Sequence, residues 1–292
     1  CYSTHHLQFA EDENDTLWTS GGNDVVGWLD TKKYDETGDS MAAVGWAPLI
    51  LDTNGNGKRD DWVEPGEPMD PNLDTRLSAS FYSIMPNPAD GSVWGATSFN
   101  FPGAVIRLDP GTNPPETALA EVFNIPLPGF SSRGSDIDRN GVVWVSLGSG
   151  HLGEFDRGKC KGPLNGPTAT GDHCPEGWTF HRFPGPGFPE LPEYSVESSY
   201  YTWVDQRNSS GLGDNTPIAT ANLFDGVHAL VDGEFVTMRI PYPLGFYSKG
   251  FDGRIDDPDA GWKGRGLWVS AGDRTPWLKE GGQGMRPLVV HF

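Results

Sequence analysis

Hydrophobic positions along this chain come in short runs, four to six residues long and often alternating, each closed by Gly, Pro, Asn or Asp. Alternation with period two puts successive side chains on opposite faces, so the runs predict β-strands and their closures predict tight turns. Three phrases recur. The first is a strand centred on Trp after a turn: DTLWTS (Trp18), DGSVWGATS (Trp94), NGVVWVSLG (Trp144) and RGLWVSAG (Trp268), with YYTWVD (Trp203) as a weaker copy. The second is an apolar strand ending in Asp: VVGWLD (Asp30), AVIRLD (Asp109) and HLGEFD (Asp156). The third is a Pro-rich exit ending in Gly-Phe: NIPLPGF (124–130), RFPGPGF (182–188) and RIPYPLGF (239–246). No amphipathic helix longer than about two turns is visible.

The order of the phrases is kept: Trp strand, Asp-ended strand, Pro-rich exit, then the next Trp strand. The five Trp stations are separated by 76, 50, 59 and 65 positions. A four-stranded propeller blade needs about 40–50 residues, so the excess belongs to insertions. The expectation is an all-β fold, a β-propeller with about five Trp-marked blades forming one domain over 1–292. Insertions are expected at 35–78, 158–177 and 188–215, with a shorter one near 252–265. A β-sandwich would explain short strands but not a phrase order kept through five units. A larger propeller, with additional N-terminal blades or a further domain of the same protein, is consistent with the pattern.

Composition narrows the class. Among 292 residues, Lys+Arg number 21 and Asp+Glu 40, a formal charge of −19. That field repels nucleic-acid phosphates and anionic membrane surfaces, so both are poor partners. Mean hydropathy is −0.47, and no apolar run approaches the length of a membrane span. Eleven Trp, 15 Phe and 8 Tyr supply core material that a disordered chain lacks. Gly 39 and Pro 25 fit a turn-rich β protein.

Three cysteines are present. Cys160 and Cys174 bracket a Gly/Pro/Asn-rich loop with nothing apolar to hold it, and a disulfide between them is expected. It would stabilise the fold by about 3 kcal/mol and imply an oxidising compartment, periplasmic or extracellular. Two unrelated free thiols are the alternative. Cys1 is expected to bond to neither. With strand-like text at both ends and no initial Met, the chain reads as a mature segment or a piece of a longer protein.

The phrase HHLQFAEDENDTLWTSGGNDVVGWLD and its echo RGSDIDRNGVVWVSLGSGHLGEFD resemble the blades of virginiamycin B lyase-like propellers. More closely, the chain resembles the C-terminal part of large exported bacterial proteins that join such a propeller to a carboxypeptidase-regulatory-like domain. The resemblance implies elimination chemistry that opens a cyclic ester with a His, a Glu and a divalent metal, Mg²⁺ or another, at the propeller axis. His6, with His5 beside it, occupies the His position of the blade phrase. The Glu position falls on Gly21; in the Trp144 unit the two places are taken by Arg133 and Leu147. In the Trp94 unit they are Ser83 and either Thr97 or Ser98. No unit shows the His/Glu pair together.

Candidate chemistry then rests on a few side chains. His5 or His6 is expected as general base or metal ligand at the axis, only one of them facing inward because adjacent strand residues point to opposite faces. Packing against a neighbouring blade is the alternative. Arg133 is placed either to take a substrate carboxylate with its planar fork or to form an ion pair between blades. The turn LDTNGNGKRDDWVE matches a calcium loop, with Asp52, Asn54, Asn56, the Lys58 carbonyl and Asp60 at ligating positions and Gly57 at the sharp turn. Its terminal carboxylate position is Val63, and Glu64 comes one residue late. A structural Ca²⁺ or a solvated Asn-Gly turn are the two readings. Lys249, Asp252, Arg254, Asp256, Asp257 and Asp259 form a charged loop that is either a second metal or substrate loop or simply solvated. Tyr194, Tyr200, Tyr201 and Trp203 either stack on sugars or aromatic ligands or fill the gap between blades. Phosphate-loop, dinucleotide, zinc-cysteine and nucleophile-elbow patterns are absent from the sequence. Two functions remain in front: a metal-assisted lyase acting on a cyclic ester or uronate-like substrate, and a non-catalytic module binding a glycan, small molecule or protein. A redox propeller ranks last, with no cofactor-ligand pattern.

Overall fold

The computed structural model describes residues 4–98, 100–240, 247–252, 267–271 and 288–291. Blade 1 is an antiparallel sheet of β1 (Thr4–Phe9), β2 (Leu17–Gly21), β3 (Val25–Leu29) and β4 (Val44–Pro48), in that order. Two short helices, α1 (Thr31–Thr37) and α2 (Ser40–Ala43), interrupt the β3–β4 connection. Then come β5 (Ile50–Leu51), β6 (Trp62–Val63) and β7 (Asp74–Arg76), which extend the outer edge of blade 2. Blade 2 itself is β8 (Met85–Pro86), β9 (Val93–Ala96), β10 (Ala104–Asp109) and β11 (Leu119–Asn124). Blade 3 is β12 (Ser132–Ile137), β13 (Val143–Leu147), β14 (His151–Phe155) and β15 (Trp178–Arg182). A hairpin, β16 (Gly187–Phe188) and β17 (Leu191–Ser195), leads into blade 4: β18 (Thr202–Asp205), β19 (Thr216–Ala221), β20 (Gly226–Val231) and β21 (Glu234–Arg239). Blade 5 shows β22 (Ser248–Asp252), β23 (Trp268–Ala271) and β24 (Leu288–His291).

Each recurring phrase has a structural place. Trp18, Trp94, Trp144 and Trp268 all lie on the second strand of their blades, opposite Gln8, Met85, Asp136 and Asp252 on the first strand. The Asp-ended strands are third strands, and the Asp turns the chain by accepting backbone N–H groups: Asp30 from Lys33, Asp109 from Gly111 and Asp156 from Gly158. The Pro-rich exits leave the outer strands β11, β15 and β21 on the way to the next blade, although 241–246 of the last one lie outside the described residues.

Packing between blades follows from strand alternation. Val143 and Val145 of β13 join the core shared with blade 2, while Trp144 between them packs against the cluster of Leu152, Phe183, Ala219 and Leu230 that joins blades 3 and 4. Trp18 fills the seam between blades 1 and 2, and Trp94 that between blades 2 and 3. Trp203 corrects the expected register. It sits on the first strand, β18, opposite Ile218 of β19. Ile218 holds the Trp station of this blade, and the indole reaches the blade 4–5 core from the neighbouring strand. Trp144 and Trp268 are half-buried rather than buried; the Trp144 indole N–H reaches the buried Asp138 at 3.4 Å.

Near the axis the seams change character. Ser83 bonds Ser135, Thr97 bonds Ser132 at 3.2 Å, and Ser146 bonds both Ser199 (2.7 Å) and Thr202 (2.8 Å). All are buried. Wedge-shaped gaps narrow inward, so small hydroxyls that satisfy one another take over where aromatic rings no longer fit. Gly134 shows how tight the fit is: a Cβ there would lie 2.0 Å from the Tyr201 ring.

The expected insertions are placed more finely. Residues 35–78 contain the fourth strand of blade 1, so the inserted chain is split into a helical piece before β4 and a loop after it. Residues 188–215 likewise contain β18. The 158–177 insertion lies between β14 and β15 and is closed by the Cys160–Cys174 disulfide. Cys1 lies outside the described residues. Truncating Trp94, 1% exposed, to Ala should cost about 3–5 kcal/mol in urea melts, and truncating half-buried Trp144 clearly less. Equal losses would contradict the packing described.

Candidate functional site

The first strands of blades 1, 3 and 5 share a defect. Their pairing with the second strand slips between Thr4 and Leu7, between Ser132 and Ser135, and between Ser248 and Phe251. A β-bulge at the same place in each blade carries His5-His6, Arg133-Gly134 and Lys249-Gly250. Bulges re-aim side chains, and these meet at the axis with residues that lead into β8, β18 and β22. His5 stacks on His6 with ring centroids 4.5 Å apart, and both approach Tyr82, at 5.1 and 4.9 Å. His6 lies 5.6 Å from Tyr201, Tyr82 lies 6.0 Å from Tyr200, and Tyr200 lies 6.3 Å from Tyr247. The Lys249 ammonium stands 4.5 Å over the Tyr200 ring. The bulge corrects the expectation that His5 and His6 point to opposite faces: the strand is not regular there, and both rings share one side.

The electrostatics are set by burial and by the two cations. Burial, and then the charge of His5, lowers the His6 pKa to about 4. Its Nε2 is buried without a hydrogen-bond partner. Burial raises the Tyr201 phenol. It raises Tyr82 too, which also donates to Tyr200. Burial would push Tyr200 the same way, but hydrogen bonds from Tyr82 and Lys249, with the charges of Lys249 and Arg133, hold this phenol below its ordinary value. Arg133 is positioned by its own strand, Nη1 donating to Ser131 Oγ at 2.8 Å and to the Ser132 carbonyl at 3.0 Å.

Beside this cluster opens a cavity of about 670 Å³, walled by Phe130, Arg133, Tyr194, Glu197, Tyr200 and Tyr247 and bordered by the β16–β17 hairpin. Glu197, 3% exposed, accepts the Ser198 and Leu223 N–H groups at 2.7 and 2.9 Å through Oε1. Its Oε2 lies 3.4 Å from Nε2 of the buried His228, whose Nδ1 meets Thr237 Oγ1 at 2.8 Å. Tyr82, Glu197 and His228 carry no sequence signal of their own. Tyr200 and Lys249 stood out only as members of an aromatic run and a charged loop.

The residues expected to ligate calcium lie elsewhere, at the outer edge of blade 2. Asp52, Asn54, Asn56 and Asp60 share one turn, the Asn54 and Asn56 amides both reaching Asp60 Oδ2 at 3.0 and 2.5 Å. The Lys58 N–H bonds Asn56 Oδ1 at 2.9 Å. Glu64 is directed away, to Arg76 and the Trp62 indole, both at 3.1 Å. Among the described residues, no three His, Cys, Asp or Glu side chains are grouped to hold a metal. Of the charged loop, Lys249 and Asp252 are described; Arg254, Asp256, Asp257 and Asp259 lie outside the described residues. No helix among the described residues is long and apolar enough to cross a membrane.

No family model and no curated protein matches the sequence. Solved structures match nearly its whole length. A streptogramin B lyase superposes with a TM-score of 0.53 at 11% identity, covering 99% of this chain and 68% of that one. A catalytically inactive virginiamycin B lyase from Staphylococcus aureus, with quinupristin, gives 0.51 at 12%, covering 100% and 70%. The β-propeller domain of Cps50 (Swd1) from Myceliophteria thermophila gives 0.51 at 11%, covering 99% and 72%. The chain is a β-propeller. At these identities the likeness establishes the fold, and virginiamycin B lyases are among the propellers that share it, as the blade phrases suggest.

An NMR titration of the propeller should place His6 near pH 4 instead of its ordinary 6.5. The unfolded chain takes up that proton first, so the stability from burying the neutral ring is complete above about pH 6.5 and is lost as pH falls towards 4. His151 and His173, also held low chiefly by burial, act in the same direction. A His6 resonance titrating near 6.5 would contradict the burial of this ring.

Proposed function

We propose that the propeller binds a carboxylate-bearing small molecule, a uronate-type glycan or a cyclic ester, in the cavity beside its axis. One observation carries this reading. In a chain of formal charge −19, the cationic side chains of Arg133 and Lys249, from two different blades, converge on Tyr200 at the cavity wall. A fixed guanidinium with an ammonium nearby suits a carboxylate, and the Phe130 and Tyr194 rings offer flat surfaces to a sugar or lactone ring. A divalent cation such as Mg²⁺ would meet two positive groups there instead of the oxygen ligands it prefers. The disulfide supports an oxidising compartment, periplasmic or extracellular.

A second reading, elimination chemistry on the bound molecule, is favoured by the state of Tyr200. In its phenolate form, which the two cations favour, Tyr200 would take the proton next to a carboxylate while Arg133 and Lys249 stabilise the charge that develops, and the electron pair of the broken C–H bond would form the double bond as the β-oxygen leaves. His6, titrating near 4, is a weak proton acceptor by comparison, and His5 stacks on it rather than on the cavity wall. That lyases occur among the solved structures of this fold supports the same reading.

Calorimetric titration with oligogalacturonate and with its methyl ester separates the terms. Binding of the acid alone, weakened about tenfold or more by Arg133→Met and by Lys249→Met, is expected. Elimination would appear as ultraviolet absorbance of an unsaturated product, lost in Tyr200→Phe while binding remains. Equal affinity for acid and ester, or full affinity in both Met variants, contradicts the carboxylate site.

A further inference from the structure

Two buried carboxylates face each other at the outer edge of blade 2. The β5–β7 register pairs Leu51 with Thr75, which sets Asp52 opposite Asp74 one step further along. Asp52 is 5% exposed and Asp74 0%. Like charges opposite one another in a buried setting are costly unless something positive stands between them. Asp52 has its partners: Oδ1 accepts the N–H groups of Gly55 (2.7 Å) and Asn56 (3.1 Å), and Oδ2 accepts from Gly57 (2.8 Å) and the Asn165 amide (2.9 Å). Asp74 is incomplete. Its Oδ2 accepts the Asp60 N–H at 2.7 Å, while its buried Oδ1 has no hydrogen-bond partner. The Thr53 N–H lies near this carboxylate but bonds the Leu51 carbonyl at 2.9 Å. Arg59 adds positive charge nearby, yet its guanidinium donates to the Pro115 carbonyl and lies 5.1 Å from the Trp62 ring centroid.

We propose that Asp74 completes a Ca²⁺ site with the turn 52–60, supplying the carboxylate that the loop pattern places at Val63 or Glu64. The other donors are side-chain oxygens of Asp52, Asn54, Asn56 and Asp60 and the Lys58 carbonyl. Parallel pairing of Trp62 with Asp74 and of Val63 with Thr75 brings Asp74 beside the place where the pattern looks for its last ligand. The following element is a strand, not the helix of a calcium-binding hand, so that ligand comes from the paired strand instead of the same segment. Mixed carboxylate, amide and carbonyl oxygens suit a hard cation. As they stand, Asp52, Asp60 and Asp74 are not grouped to hold a metal, so the ion has to draw them together. The Asn54 and Asn56 amides must then release Asp60 Oδ2, and Asp52 must release the Asn165 amide, its one side-chain donor, which belongs to the disulfide loop. Gly166 of that loop also donates to the Asp52 carbonyl at 2.7 Å, so the ion and the loop are linked.

The test is calorimetric titration of CaCl₂ into the full chain after chelator treatment, with Tb³⁺ luminescence sensitised by Trp62 as a second readout. One Ca²⁺ per chain is expected, weakened about tenfold or more in Asp74→Asn and unchanged in Glu64→Gln. Circular dichroism in chelator checks that each variant is folded. Should Asp74→Asn fail to fold, Asp60→Asn takes its place with the same expected loss. The absence of both heat and Tb³⁺ emission in the wild type overturns the site. So does weak binding that ignores Asp74→Asn or Asp60→Asn, or binding lost in Glu64→Gln alone.

Discussion

Every sheet in the middle of this molecule has to bury both of its faces, and only another sheet of the same kind can cover them. That constraint organises the rest. It explains why one large ring recurs at the seams, with Trp18, Trp94, Trp144 and Trp203 each filling the gap towards the following blade. It also explains why the seams turn polar inward. Four-stranded sheets arranged around an axis leave wedges, and at the narrow end Ser83, Ser135, Ser146 and Ser199 replace aromatic rings by hydroxyl pairs. The first strands and the segments leading into them carry the axial cluster, so whatever the molecule does there depends on their few side chains.

How much of this could be read from the sequence depended on distance along the chain. The Trp strand, the Asp that caps the next turn and the Pro-rich exit are local devices, and each was legible because a few adjacent residues specify it. The Cys160–Cys174 bridge was legible for the same reason. Trp203 misled because an indole can reach one seam from either of two neighbouring strands, and Ile218 across from it gives no warning. His5 and His6 were singled out, but a regular strand sends them to opposite faces. Only the bulge, visible as a slip of pairing between Thr4 and Leu7, brings the rings together. Tyr82, Arg133, Tyr200 and Lys249 come from four blades and share no spacing. The Glu197–His228 contact joins the approach to β18 with β20 in the same way. Asp74 lies beside the 52–60 turn for a related reason, through sheet pairing and not through sequence order, so no spacing in the sequence points to it.

The charge distribution gives these positions their meaning. The surface carries a large excess of carboxylates, while the axis gathers phenols, imidazoles and two cations. Burial alone would raise every phenol in the cluster, as it does for Tyr82 and Tyr201. Tyr200 departs from them because Lys249 and Arg133 act on it together with the Tyr82 hydroxyl. The most direct measurement is therefore the titration of the Tyr200 phenol, by difference ultraviolet spectra of the wild type against Tyr200→Phe. The account predicts a midpoint below that of a free phenol, rising in Lys249→Met. A Tyr200 that titrates at or above the free-phenol value in the folded wild type would contradict the convergence of the two cations on this residue.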